Sequence, residues 1–193
     1  MFLMPSKLVS IHPYKNLWPK IDSSVFIADG ARIIGDVKIE KGSSIWYNTT
    51  IRGDVNSIKI GKNCNIQDNS CLHVEHDIYP LSLEEGITIG HSVTLHGCKI
   101  EKFCLIGMGA TIMNNATIGE ESIIGAGAVV PENMVIPPRS LVVGLPAKIK
   151  KELSKSQIQN LHDSALRYVN YTKEYLKIST QVEIDYFKEI IVI

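Results

Sequence analysis

The chain has 193 residues, with 20 basic and 20 acidic side chains, a formal net charge of zero and 45% hydrophobic residues. That length fits one medium domain able to bury a sizeable core. The balanced charge removes any electrostatic reason to expect a nucleic acid or an anionic membrane as partner.

The opening stretch MFLMPSKLVSIHPYKN has too short an apolar run for a signal peptide and lacks a small-residue cleavage site. No run of about 18 apolar residues occurs further on. A cytoplasmic protein that does not touch a membrane is therefore expected.

A period of six begins at Ile27 and continues through Ile33, Ile39, Ile45 and Ile51. It slips after RGDVNS, resumes at Ile60, Ile66 and Leu72, breaks across residues 73–88, and returns at Ile89 and Leu95. From Ile100 it runs uninterrupted through Ile106, Ile112, Ile118, Ile124, Val130, Ile136 and Val142. A small residue precedes most of these aliphatics by two positions: Ala31, Ser43, Ser70, Ala110, Ala116, Ser122, Ala128 and Ser140 are examples. Neither a helical 3.6 nor a simple strand alternation has this period. A parallel β-helix of short strands and turns does, with the large aliphatics pointing into a narrow core and the small residues at its corners. Glycines and asparagines in IGKNCN, IGMGAT, IMNNAT and IGAGAV supply tight or left-handed corners. Cys64, Cys98 and Cys104 fall on the small-residue position and read as core packing rather than as redox groups. Cys71 is one place off that register.

The repeat ends near VVGLPAKIK, which bounds a β-helix domain at residues 1–150. Residues 151–178 are predicted to form a helix packed along the solenoid, with Ser154 as N-cap and Gln157 completing a capping box. Its apolar stripe runs through Ile158, Leu161, Ala165, Tyr168, Val169, Tyr175 and Leu176. Residues 179–193, strand-like in composition, are expected to be a separate tail.

Within the repeat, the residue after each inward aliphatic points outward. This turns Arg52, Gln67, His73 and His96 out, after Ile51, Ile66, Leu72 and Leu95. With the inserted stretches treated as corner loops, Arg52, His73 and His96 stack on one face at about 5 Å per coil. Asp68 and His91 share the corner of another face. Three histidines on two faces of one rigid prism cannot easily close a metal site. Two from one chain and one from a neighbour around a threefold axis could.

The stretch IRGDVNSIKIGKNCNIQDNSCLH, followed by IGHSVTLHGC, resembles the γ-class carbonic anhydrases and relatives labelled ferripyochelin-binding or hexapeptide-transferase proteins. The likeness spans about residues 10–175 and rests on R-G-D, then Q-D, then H, then H-x4-H in combination. It implies a left-handed β-helix of triangular section, single-stranded, all-β apart from the C-terminal α-helix. It also implies a homotrimer in which His73, His91 and His96 bind Zn2+, with Fe2+ or Co2+ as alternatives, His91 crossing to the neighbouring subunit. Three imidazoles leave a divalent metal an open position, which lowers the pKa of a water there to about 7 for attack on CO2. The resemblance assigns Gln67 and Asp54 to hydrogen bonds that orient nucleophile and substrate, and Arg52 with Asp68 to an ion pair across the subunit boundary. Tyr168 matches a helix tyrosine that approaches the metal pocket, although packing of the apolar stripe accounts for it equally well. His76, in the loop after the first ligand, is the candidate proton shuttle by its ordinary pKa of about 6.5. Where the resemblance places a glutamate after the aspartate of R-G-D, this chain has Val55. The competing functions are acyl transfer from acetyl-CoA, which typically needs one histidine and no cluster, and metal or siderophore binding without catalysis.

Overall fold

The computed structural model describes residues 9–191, with side chains from residue 9 to residue 177. Residues 1–8 of the expected domain and 192–193 of the expected tail lie outside the described residues. The chain winds as a parallel β-solenoid of about seven turns with a single C-terminal helix, the left-handed β-helix expected from the hexapeptide period.

Three columns of aliphatic side chains form the core. In one, Ile33, Ile51, Leu72, Leu95, Ile112 and Val130 lie in direct register on successive parallel strands. In the second, Ile39, Ile60, Leu83, Ile100, Ile118 and Ile136 do the same. The third runs Ile27, Ile45, Ile66, Ile89, Ile106, Ile124 and Val142. All except Ile27 are essentially inaccessible to solvent. The small residues two places earlier are buried beside them, because a larger side chain at a corner would collide with the coil above. Burial pushes the thiols of Cys64, Cys98 and Cys104 up to about 12, which makes them inert packing groups as expected. Cys71 is exposed on its strand.

Left-handed backbone recurs where the chain turns a corner. Asn48, Asn69, Ser92, Gly109 and Gly127, one per coil, all have positive φ. At Gly109 and Gly127 a Cβ would meet nothing within 4 Å, so only the backbone conformation favours glycine there.

Two details differ from the expected register. Residues 73–88 do not leave the core: Leu81–Leu83 is a strand that pairs with Ile58–Ile60 and Lys99–Ile100, and Leu83 fills the slot the period seemed to miss. The excursion is confined to residues 74–80. RGDVNS is not a corner loop either. It continues the strand Thr50–Ile60, pairing with Arg32–Ile39 across a bulge between Gly35 and Val37. A Cβ at Gly53 would lie 2.6 Å from the carbonyl oxygen of Asp36, which accounts for glycine between Arg52 and Asp54.

The solenoid closes on an antiparallel strand, Lys148–Glu152, against Ser140–Val143. That strand delays the helix, α1, which spans Lys155–Ile191 and so continues as one element through the stretch expected to be a tail. A helix already nucleated propagates at little cost, which outweighs the modest strand preference of a few β-branched residues. The capping box is formed: the Gln157 N–H donates to Ser154 Oγ at 3.3 Å and the Ser154 N–H to Gln157 Oε1 at 3.1 Å. Leu161 and Ala165 are buried, and Tyr168 packs on Phe26, Ala28 and Trp46. Near its start α1 is held by His162, which stacks on Phe103 at 4.0 Å and meets Glu121 at 3.0 Å, while Arg139 reaches the other Glu121 oxygen at 2.9 Å.

Candidate metal centre

His73 and His96 occupy the same position on successive coils, each following an inward leucine, and their strands are paired residue for residue. Their rings approach with His73 Nδ1 3.1 Å from His96 Nε2. On the other side His73 Nε2 lies 3.1 Å from Asp54 Oδ1, and the second Asp54 oxygen accepts from the guanidinium of Arg52. Arg52 and Asp54 flank Gly53 in an extended strand, so both side chains emerge on the same side. Burial pushes the Asp54 carboxyl up, but Arg52 and His73 together outweigh it and hold it below the usual carboxylate range.

His91 follows Ile89 by two residues and sits on a different face. Its Nδ1 is 2.6 Å from Asp68 Oδ2 on the coil above, which leaves Nε2 uncommitted on a half-exposed ring. Among the described residues, no group of three His, Cys, Asp or Glu side chains within one chain could hold a metal ion. The donor set nonetheless suits one. Two imidazoles converge, a third is aimed outward, and carboxylates back His73 and His91 as carboxylates commonly back histidine ligands.

Gln67 also points away from the prism axis but is only 6% exposed, because α1 lies over that face. Its Nε2 donates to Asn65 Oδ1 at 3.1 Å, and Asn65 Nδ2 donates to Thr88 Oγ1 at 2.9 Å. Gln67, Asp68, His91 and Tyr168 border a cleft of about 400 Å³ between α1 and the solenoid, walled otherwise by Trp46 and further tyrosines. Tyr168 thus both packs the helix and faces the cleft. Burial pushes its phenol up, and Tyr171 and Asp68 add to that.

Arg52 and Asp68 are not brought together within the chain. Each has another partner, Asp54 and His91 respectively. His76 is exposed in the loop and meets Asp77 at 3.1 Å. Sequence reasoning missed Asn114, whose Oδ1 is 2.7 Å from His96 Nδ1; Glu75, one of the acids in the loop that follows His73, is 3.1 Å from Asn114 Nδ2. The signal for Asn114 was its place in the corner one coil after His96, 18 residues on.

Residues 97–132 match the family described as bacterial transferase hexapeptide (six repeats). A carbonic anhydrase of Geobacillus kaustophilus is 49% identical over 89% of this chain and 93% of its own length. Gamma carbonic anhydrase 2, mitochondrial, of Arabidopsis thaliana is 38% identical over 86% of this chain and 63% of its own. A crystal structure of a Bacillus cereus protein named as a candidate acetyltransferase has a TM-score of 0.86 at 45% identity, covering 89% of this chain and 99% of that one. No helix among the described residues is long and apolar enough to cross a membrane.

Proposed function

The chain belongs to the γ-class carbonic anhydrase family of hexapeptide-repeat proteins, and from that membership we propose reversible hydration of CO2 at three sites of a homotrimer, each built from His73 and His96 of one chain and His91 of the next. The observation that carries the proposal is the division of the histidines: two meet at 3.1 Å on one face, while the third stands on another with its outer nitrogen free. The corner below His91 supports a protein neighbour there, since Met108 occupies the equivalent position on the next coil and is 59% exposed. In such an assembly Arg52 and Asp68, on separate faces of one chain, would pair across the boundary.

Three neutral imidazoles, His73 and His96 of one chain and His91 of the next, would hold zinc, iron or cobalt, and such an ion, when bound, would make hydroxide available near neutral pH for attack on CO2. Asp54 is kept ionised, so it can accept a hydrogen bond from His73 Nε2 and fix that ring with Nδ1 turned toward His96. Gln67, whose amide is steadied by Asn65, can present its remaining hydrogen-bonding groups to the substrate at the cleft. Arg52 holds Asp54 in place from the far side.

Metal content, light scattering and CO2 hydration measured on one purified sample test the proposal. A metal-bearing trimer that hydrates CO2 is expected. A monomer, or a metal-loaded trimer with no hydration, would defeat it. The likeness to the Bacillus cereus protein supports acyl transfer as a second reading, and turnover of acetyl-CoA after metal removal would favour that reading.

A further inference from the structure

We propose that Asn114 is the positioning residue that sets His96 as a ligand through Nε2, and that Glu75 and Glu132 in turn set Asn114. The inference rests on the three-histidine reading above. Asn114 lies in the corner one coil below His96. Its Oδ1 is 2.7 Å from His96 Nδ1, and its Nδ2 donates to Glu75 Oε2 at 3.1 Å and to Glu132 Oε1 at 3.2 Å.

A primary amide has one accepting end and one donating end, and a carboxylate only accepts. The end between two carboxylates must therefore be the NH2, since the reversed amide would set its oxygen against two others. The Asn114 carbonyl then faces His96 Nδ1, which must carry a hydrogen. His96 Nε2 is left with a lone pair, and that is the nitrogen facing His73. The ring is held in both tautomer and direction before any metal arrives.

The clamp draws on three separate coils. Glu75 comes from the loop after His73, and its backbone is pinned by the Asn56 side chain at 3.2 Å and by Tyr79 at 3.0 Å. Glu132 comes from the coil below. Support of the turn does not require the Asn114 side chain, because the left-handed residue of that corner is Asn115, with its own bond to Asn133 at 2.9 Å.

The test is Co2+ titration of the metal-stripped protein, read as affinity by chelator competition and as the visible absorption of the bound ion. Asn114→Ala is expected to weaken binding 10–100-fold and alter the spectrum while leaving the thermal midpoint of the metal-free protein unchanged. Asn114→Asp sets a third carboxylate beside Glu75 and Glu132 and should also weaken binding. Adding Glu75→Gln restores a donor to that carboxylate and should recover part of the loss, which keeps the test valid if the alanine variant folds poorly. Wild-type affinity and spectrum in Asn114→Ala and Asn114→Asp, with binding lost in His96→Ala, would overturn the positioning role alone. Wild-type binding in His96→Ala would overturn the metal-site reading, and the inference with it.

Discussion

Residues 97–143 and residues 50–96 are built from the same hexapeptide and use it in opposite ways. In the later half each coil takes 18 residues, as from Ile100 to Ile118 to Ile136, and the match to the bacterial hexapeptide family falls there. In the earlier half Ile51 to Leu72 takes 21 residues and Leu72 to Leu95 takes 23, yet the inward columns continue without a gap. The core does not register the additions. The extra residues carry Asp54 and Glu75 outward to the histidine pair, while Val74 and Val55 beside them turn back onto the core. A strict repeat supplies rigidity, and its interruptions supply chemistry.

If that division holds, the two halves fail differently. The largest effect is expected from His96→Ala, which contributes nothing to the core: metal and CO2 hydration should fall to background while the β-rich circular dichroism stays. Loss of the fold would instead make the metal structural. Mixing His91→Ala chains with His73→Ala chains should regenerate some intact sites, because each spoils a different half, and recovery of activity on subunit exchange measures it. The converse variant is Ile118→Ala, in a fully buried column of the regular half. It should cost about 2–5 kcal/mol in denaturant unfolding yet leave metal affinity unchanged. A large drop in affinity would show that the halves are not independent.

The same division governs what the sequence discloses. In the regular half one period places each inward aliphatic and each small corner residue, so Ala110, Ala116 and Ala128 are assignable to corners and Cys98 and Cys104 to the core from the sequence alone. In the interrupted half, Leu83 was hidden because a seven-residue excursion precedes it and restarts the phase. The histidines were legible from register and resemblance together. Asn114 was not, because its role depends on Glu75, 39 residues away, and no local spacing announces such a contact. Burial of Gln67 was equally hidden, since it follows from where α1 comes to rest.

A smaller effect sharpens the role of the regular half as a platform for α1. His162 and then Arg139 hold the Glu121 carboxyl below the usual glutamate range. A lowered carboxyl contributes stability that is present above the unfolded value of about 4.3 and is lost as pH falls through the folded value. Glu121→Gln should therefore lower the thermal midpoint at pH 7, by an amount corresponding to about 1 kcal/mol or less because the cluster is partly solvated. The difference between variant and wild type should shrink as pH falls through the folded value and vanish once Glu121 is protonated in the folded protein. A difference that persists there would mean that the contact acts by packing rather than by charge.

The smallest expected effect concerns how fast the interrupted half can work. Each hydration leaves a proton that must reach solvent, and an acceptor within reach of the reacting atoms sets that rate. Val55, beside Asp54, cannot carry one; it packs partly buried against the core, and its carbonyl accepts the N–H of Asp77. Glu75 is engaged with Asn114, and His76 stands out in solvent beside Asp77. Turnover should therefore be slow and should rise with the concentration of an imidazole buffer, which supplements the solvent-exposed His76 as acceptor. Val55→Glu should recover tenfold or less, since an acid at a half-buried site resists ionisation while Asp54 beside it is already charged. His76→Ala should lower the rate in dilute buffer and leave it unchanged in concentrated imidazole. A rate indifferent to buffer in all three proteins would mean that proton release is not limiting, and that the loop serves only to deliver Glu75.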